Sequence, residues 1–209
     1  MTLPSNWKET TYPDLNVEGI AFSEVMNLGD NYEVYDFTQG YDETRPLATP
    51  YGVGKYDELR PGMYLGEQFT GDQRDLHIGI DLAGPAGTSV RAFFGGCIFM
   101  LGDNALSYDY GPTIITCHTW NGQTLYALHG HLTRESLKRW RQGDVFEAGE
   151  ELATLGDKDV NGGWNPHLHF QLSWIKPVTF DLPGTVNNRD RAAALRAFPD
   201  PRLVLGPLY

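Results

Sequence analysis

The stretch NGGWNPHLHFQLSW, residues 161–174, contains the pattern on which the predicted fold and site depend. His167 and His169 are two residues apart, so in an extended strand their imidazoles point to the same face. Leu168 and Phe170 then point to the opposite face. The Gly-Gly pair and the proline that precede the histidines predict a tight loop leading into this strand. Two imidazoles on one strand face provide half of a metal site.

The other half is predicted about ninety residues earlier, in the segment HIGID, where His77 and Asp81 lie four residues apart. On one strand both side chains would share a face, and Gly79 between them would allow a close approach. A third segment, HGHL, supplies His129 and His131. A set of two histidines and one aspartate suits zinc, which takes three protein ligands and keeps one open position when it is catalytic.

Three segments of the chain carry a family resemblance: HIGIDLAGPAGTSVRAFFGG, YGPTIITCHTWNGQTLYALHGHL and PHLHFQLSW. In this order they resemble the lysostaphin-type zinc metalloendopeptidase family, which cuts peptide cross-links of bacterial cell walls. The resemblance covers roughly residues 76–174. Residues 54–64 and the tail after Trp174 lie outside the general family pattern.

The resemblance implies one zinc ion held by His77, Asp81 and His169. It also implies two catalytic histidines that do not bind the metal, His131 as general base and His167 as transition-state stabiliser, although these two roles are interchangeable on the sequence alone. An imidazole suits either role because it titrates near neutral pH.

His129 departs from the family pattern, in which many relatives have tyrosine. Strand alternation predicts that it shares the face of His131, either as a polar residue in the place of the tyrosine or in contact with substrate or metal. His118 is predicted to be structural. Tyr126, Trp164 and Asn165 are candidates to line the groove, whereas Gln171 and Trp174 are predicted to be ordinary sheet residues.

The pattern predicts a mainly β fold, with an antiparallel sheet that forms a partly closed barrel or sandwich, an active-site groove and two short helices. The chain has 24 glycines and 13 prolines, which favour many short strands joined by turns. Asn121-Gly122 between two alternating runs predicts a hairpin. Helices are predicted over residues 133–141, with Thr133 as N-cap, and over residues 189–198.

Three segments are predicted along the chain. Residues 1–71 wrap around the core and form one wall of the groove, residues 72–178 are the metallopeptidase core, and residues 179–209 are a C-terminal extension with a short helix. Cys97 and Cys117 lie in apolar strand patterns, and we expect buried free thiols rather than a disulfide.

Composition excludes several classes of partner. The net charge is −11 and no run of lysine and arginine occurs, which argues against nucleic-acid binding. No stretch of about twenty apolar residues predicts a membrane span, and no signal peptide precedes the core. The expected compartment is the cytoplasm, or the periplasm or exterior if a leader has been removed.

The expected function is zinc-dependent hydrolysis of peptide bonds in a peptide or peptidoglycan fragment. Two alternatives stay open at this point. One is a zinc hydrolase of a small cytoplasmic peptide or amide, and the other is a catalytically silent module that binds a partner in the groove. The sequence predicts no oligomeric state.

Overall fold

One large β-sheet positions most of the site, and two smaller sheets pack around it. The computed structural model describes residues 3–42, 44, 48–66, 69 and 73–209. The strands are β1 (Glu33–Val34), β2 (Gly52–Gly54), β3 (Glu58–Leu59), β4 (Leu76–His77), β5 (Ile80–Ala83), β6 (Ser89–Arg91), β7 (Gly96–Asn104), β8 (Gly111–Trp120), β9 (Gln123–Gly130), β10 (Val145–Phe146), β11 (Glu151–Thr154), β12 (His167–Ser173) and β13 (Thr185–Val186). The helices are α1 (Arg134–Arg139), α2 (Arg191–Ala197) and α3 (Arg202–Leu205), with a 3-10 turn at Asn188–Asp190.

The large sheet has the strand order β1-β2-β5-β12-β9-β8-β7-β10. Its pairs are antiparallel except β1 with β2. A two-stranded sheet joins β11 to β6, and a three-stranded sheet has the order β13-β4-β3. The predicted mainly antiparallel β fold is confirmed, and β1 and β10 stand as the two edge strands of the large sheet.

Local sequence signals place two of the predicted elements well. Asn121 and Gly122 have φ values of 47° and 78°, the left-handed pair that a type I′ hairpin turn between β8 and β9 requires. The hydroxyl of Thr133 accepts a hydrogen bond from the Ser136 amide at 3.3 Å, so it caps α1 as expected. The prediction of two helices was incomplete, because the described residues also form the short helix α3.

The core lies between the large sheet and the elements that cover it. Alternate residues of β12 point into it, and Leu168, Phe170 and Leu172 are fully buried. The other face of β12 carries the polar series that begins with His167 and His169, and that face is also covered. The site therefore lies inside the molecule, because a second layer packs over the polar face of the sheet.

The N-terminal residues pack against the rest of the chain. Trp7 is buried against Phe198 of the C-terminal segment, with ring centroids 6.3 Å apart. β2 pairs with β5 and so extends the large sheet. Tyr56 donates a hydrogen bond to the carbonyl oxygen of Phe198 at 2.7 Å. These contacts tie residues before 71 to the rest of the chain, although the boundaries at residues 71 and 178 stay a prediction.

The expectation of two buried free thiols was wrong. Cys97 and Cys117 form a disulfide, and both are only partly buried. The reason is the register of β7 with β8, which pairs the two residues directly across the sheet with their Cα atoms 5.3 Å apart. That separation lies within the range a disulfide requires, and it depends on a strand pairing that the sequence does not display.

None of the helices in the described part of the chain has the length and apolar character needed to cross a bilayer.

His118 is structural, as predicted. It is buried, one ring nitrogen lies 3.0 Å from the carbonyl oxygen of Gly95, and the other lies 2.8 Å from the hydroxyl of Thr116. Burial lowers the pKa of His118 to about 4, so the folded protein holds a neutral ring where the unfolded chain, with a pKa of about 6.5, binds a proton. The contribution of His118 to the free energy of unfolding is therefore fully present above pH 6.5 and is lost as the pH falls toward 4.

We therefore expect the free energy of unfolding to fall by up to about 3 kcal/mol more in the wild type than in His118→Gln between pH 6.5 and 4. Urea unfolding across that range measures how steeply the free energy of unfolding falls with decreasing pH in each protein. The comparison of these two slopes does not require the proteins to have equal stability at neutral pH. Parallel slopes would contradict the neutral buried histidine.

Candidate metal centre and active site

The structure brings His77, Asp81 and His169 together. Nε2 of His77 lies 3.1 Å from Nδ1 of His169, and Oδ1 of Asp81 lies 3.3 Å and 3.2 Å from those two nitrogens. All three residues are buried. The cause is the antiparallel register of β12 with β5, which sets His169 directly opposite Asp81.

The expectation that His77 and Asp81 share one strand was wrong. His77 ends β4 in the three-stranded sheet, whereas Asp81 belongs to β5 in the large sheet, and a bend at Gly79 separates them. A Cβ atom at position 79 would overlap the ring of His169. The glycine thus permits the close approach of the His169 ring, and the side chains of His77 and Asp81 converge from different sheets.

Outer hydrogen bonds orient both imidazoles. Nδ1 of His77 lies 2.8 Å from the carbonyl oxygen of Lys55, and because a carbonyl only accepts, Nδ1 carries the proton and Nε2 keeps its lone pair. Nε2 of His169 lies 3.0 Å from Oε1 of Gln171, whose amide nitrogen donates to the carbonyl oxygen of Pro183 at 3.1 Å. Gln171 is therefore not the ordinary sheet residue that was predicted, because it presents Nδ1 of His169 to the site.

The three donor atoms fit a metal ion. Bond lengths of about 2.0–2.1 Å to a tetrahedral zinc would place neighbouring donors about 3.3 Å apart, close to the observed edges of 3.1, 3.2 and 3.3 Å. Two imidazole nitrogens and one carboxylate oxygen are also the ligand types that zinc takes in catalytic sites. His77, Asp81 and His169 thus have the spacing and the ligand types to hold a metal ion.

Protonation at neutral pH suits that site. Burial lowers the pKa of His77 to about 4, and the positive charge of Arg60 acts in the same direction. Burial alone would raise the pKa of Asp81, but His77 and Arg60 hold it well below its usual range. A metal binds neutral imidazole and ionised carboxylate, and His77 and Asp81 meet these two conditions.

His131 and His167 lie side by side next to the metal ligands, with ring centroids 4.2 Å apart. Nδ1 of His131 lies 2.9 Å from the carbonyl oxygen of Asn161, and Nδ1 of His167 lies 2.7 Å from that of Asn165. Each Nδ1 therefore carries the proton, and each Nε2 is left as an acceptor. Nε2 of His167 is 3.8 Å from Oδ1 of Asp81. Burial lowers the pKa of both rings, so both are neutral near pH 7.

His129 does not share the face of His131, contrary to the prediction. It pairs across the sheet with Phe170 and with Ile114, fully buried on the core face, where its ring lies 5.3 Å from that of Phe170. The physical reason is that β9 ends at Gly130 and His131 adopts a left-handed φ of 64°, which breaks the alternation between the two histidines. His129 thus lies outside the site.

A cavity of about 470 Å³ opens over the metal ligands. Trp164 forms part of its wall, as predicted, and its ring makes edge contacts with Tyr41, Tyr64 and Tyr108 at 5.9, 6.3 and 5.6 Å. Tyr126 does not line this cavity, because it packs against Phe99 elsewhere on the sheet, at 4.8 Å. The aromatic wall therefore includes Tyr64, Tyr108 and Trp164, which come from three separate parts of the chain.

Sequence reasoning missed two residues close to the ligands. Arg60 is fully buried and donates from Nη1 to Oδ2 of Asp81 at 2.7 Å. The ring of Tyr110 packs 5.5 Å from that of His131 and 5.1 Å from that of His169. Nothing in the local sequence marks either residue, because an arginine near a strand end and a tyrosine before a glycine are common on protein surfaces.

Comparison with known proteins agrees with this geometry. The profile of peptidase family M23 matches residues 75–181, just over half of the chain. The proteins named DD-carboxypeptidase/endopeptidase Mpg from Neisseria meningitidis serogroup B and Neisseria gonorrhoeae are each 35% identical over 123 residues. That alignment covers 56% of this chain and 26% of each relative, so the chain spans about a quarter of their length.

The fold also matches a solved structure. The catalytic domain of the antimicrobial peptidase lysostaphin from Staphylococcus simulans aligns with a TM-score of 0.50 and 22% identity, over 75% of this chain and 93% of that domain. All three segments on which the family resemblance was based lie within residues 75–181. The resemblance is confirmed: this chain belongs to peptidase family M23 and is a hydrolase of the metallopeptidase class.

Proposed function

We propose that this chain is a zinc-dependent peptidase that hydrolyses peptide bonds in peptidoglycan stems or cross-links. The Neisseria relatives, each named DD-carboxypeptidase/endopeptidase, support this substrate class through their 35% identity over 123 residues. The partner is then a peptide or a peptidoglycan fragment that enters the cavity above the metal ligands.

One observation carries the proposal. Three buried donors converge with edges of 3.1–3.3 Å, and beside them two further imidazoles have Nδ1 fixed by carbonyl oxygens and Nε2 left as an acceptor. A structural metal site would not need the second pair. Because all five side chains are present in this arrangement, the alternative of a catalytically silent binding module is disfavoured.

The roles of the residues are part of the proposal, because the hydrogen bonds orient His131 and His167 alike and leave Nε2 of each ring as an acceptor. Zinc, when bound by His77, Asp81 and His169, would polarise the scissile carbonyl and lower the pKa of a bound water toward about 7. We assign His131 as the general base that accepts the proton at Nε2, with its ring held by the carbonyl of Asn161. We assign His167 as the transition-state stabiliser: its Nε2, an acceptor in the resting site, would take a proton from solvent and donate it in a hydrogen bond to the oxyanion that develops on the substrate.

The disulfide supports a location outside the reducing cytoplasm. Disulfides persist in oxidising compartments, and peptidoglycan lies in such a compartment. We therefore propose a periplasmic or extracellular site of action instead of the cytoplasmic one.

This location is tested by treating intact cells with a thiol-alkylating reagent before any reductant is added, and then mapping the peptides of the protein. We expect Cys97 and Cys117 to be unmodified and linked in the peptide map. Full alkylation of both residues would contradict the proposed compartment.

Metal binding is tested by removing one ligand. Asp81→Ala should lose stoichiometric zinc, because two neutral imidazoles alone form a much weaker site, while the sheet retains its apolar core. Elemental analysis and far-ultraviolet circular dichroism of the purified variant measure the two properties. The matched control is Asp103→Ala, which removes an aspartate on β7 that pairs with Arg134. Wild-type zinc content in Asp81→Ala would show that the ligand assignment is wrong.

The catalytic assignment is tested by variants that should keep the metal. His131→Ala should lower turnover of a muropeptide by about 10²–10⁴-fold, the usual contribution of a general base. His167→Ala should lower it by about 10²–10³-fold, the usual contribution of an oxyanion donor. Both should bind zinc as the wild type does.

His129→Phe is the control for these variants, since it changes a buried histidine on the other side of the same sheet. We expect it to keep both zinc and turnover. Full activity in His131→Ala, or zinc loss in it, would contradict the assignment, and an inactive but folded His129→Phe would assign that residue to the site.

A further inference from the structure

Arg60 contacts a metal ligand from outside the part of the chain that matches the family profile. It follows β3, whereas the profile begins at residue 75. Its side chain is 1% exposed, and Nη1 donates to Oδ2 of Asp81 at 2.7 Å. Oδ1 of the same carboxylate faces His77 and His169. The two oxygens of Asp81 thus have different partners.

Several contacts hold the guanidinium group of Arg60 in place. Nε donates to Oε2 of Glu58 at 2.9 Å, and Nη2 donates to the carbonyl oxygen of Lys55 at 3.2 Å. Nη1 also lies 3.3 Å from the hydroxyl of Tyr64, and the ring of Phe37 lies 4.8 Å from Cζ. A planar fork with donors on three sides can make all these contacts at once, which an ammonium group cannot.

The backbone around Arg60 is adapted to the same contact. A Cβ atom at Gly54 would come within 2.8 Å of both Nη2 of Arg60 and Oδ2 of Asp81. The carbonyl of Lys55 accepts from Arg60 and also from Nδ1 of His77. The β2–β3 segment therefore contacts two of the three metal ligands through one connected set of hydrogen bonds.

Charge explains the presence of Glu58. A buried guanidinium next to a metal ligand would by itself repel a divalent cation, and the low-dielectric surroundings would strengthen that repulsion. Glu58, 4% exposed, places its carboxylate against Arg60 and offsets the positive charge. Lys55 also contacts Glu58 at 3.1 Å, but its side chain is 28% exposed, so water screens its charge more effectively.

We propose that Glu58 and Arg60 form a charge-compensated clamp that positions Asp81 as a ligand through Oδ1 alone. Because the clamp occupies Oδ2, Asp81 would offer a metal only Oδ1, and the protein would supply three ligand atoms in all. Arg60 and Glu58 are positioning residues, since neither touches substrate or metal. The inference rests on the proposed function only in that a metal binds between His77, Asp81 and His169.

The test uses the full chain freed of metal, together with Arg60→Met, Arg60→Lys, Glu58→Gln and the double variant Glu58→Gln/Arg60→Met. Zn²⁺ affinity is measured by competition with a chelator, and the visible absorption of the Co²⁺-loaded protein reports coordination number, because four-coordinate Co²⁺ absorbs far more strongly than five-coordinate Co²⁺. Arg202→Met is the matched control, because it removes an arginine that pairs with Asp200 away from the site.

We expect Arg60→Met to bind Zn²⁺ about 10–100-fold more weakly, in line with the loss of an outer-sphere partner. Its Co²⁺ absorption should weaken because Oδ2 of Asp81 becomes free to bind. Arg60→Lys should lie between the wild type and Arg60→Met, and Arg202→Met should match the wild type in both measurements.

Glu58→Gln separates the charge effect from simple loss of packing. It should weaken Zn²⁺ binding when Arg60 is present, because the guanidinium is then uncompensated, and should have little further effect in the Arg60→Met background. Equal effects in both backgrounds would overturn the charge argument. The clamp would be overturned if a folded Arg60→Met had unchanged Zn²⁺ affinity and Co²⁺ absorption. If Arg60→Met does not fold, the same result in both Arg60→Lys and Glu58→Gln would overturn it.

The clamp and the proposed function fail in different ways. If the wild type binds Zn²⁺ and the variants behave as described but no muropeptide is cleaved, the clamp stands and the proposed substrate is wrong. If the wild type binds no Zn²⁺, both are wrong.

Discussion

The antiparallel pairing of β12 with β5 is the constraint on which the site depends. This register places His169 opposite Asp81, and the same strand presents His167 two residues earlier on the same face. A shift by one residue would turn the histidines into the core and Leu168 toward the metal ligands. The apolar side chains on the other face of β12 are fully buried, so the hydrophobic core that stabilises the sheet also holds the site in register.

The polar face of the sheet is covered, and that burial gives the site its electrostatic character. His77, His131 and His167 have lowered pKa values chiefly because burial disfavours their charged forms. Asp81 stays ionised among them because histidine and arginine partners offset the effect of burial. Neutral imidazoles beside one carboxylate are the combination that metal binding requires.

The covering layer comes from segments distant in the sequence. The segment that contains β2 and β3 brings Arg60 and the carbonyl of Lys55 to two of the ligands, and the segment before β13 brings the carbonyl of Pro183 to Gln171. Residues outside the range 75–181 that matches the family profile thus contribute hydrogen bonds that fix the orientation of the His77 ring and of Gln171, which in turn orients His169. Loss of such an outer partner typically lowers metal affinity by about 10–100-fold.

The sequence by itself predicted the metal ligands and the two further imidazoles, and it determined the β class, the Asn-Gly hairpin and the cap of α1. These signals are local or carried by ordered motifs, so they survive without knowledge of the fold. The tertiary structure alone decided the features that depend on strand register and on contacts between distant segments. Cys97 meets Cys117 only because β7 pairs with β8, and His129 leaves the site only because β9 ends at Gly130. Arg60 joins the site only because β2 pairs with β5, and spacing along the chain carries no record of such pairings.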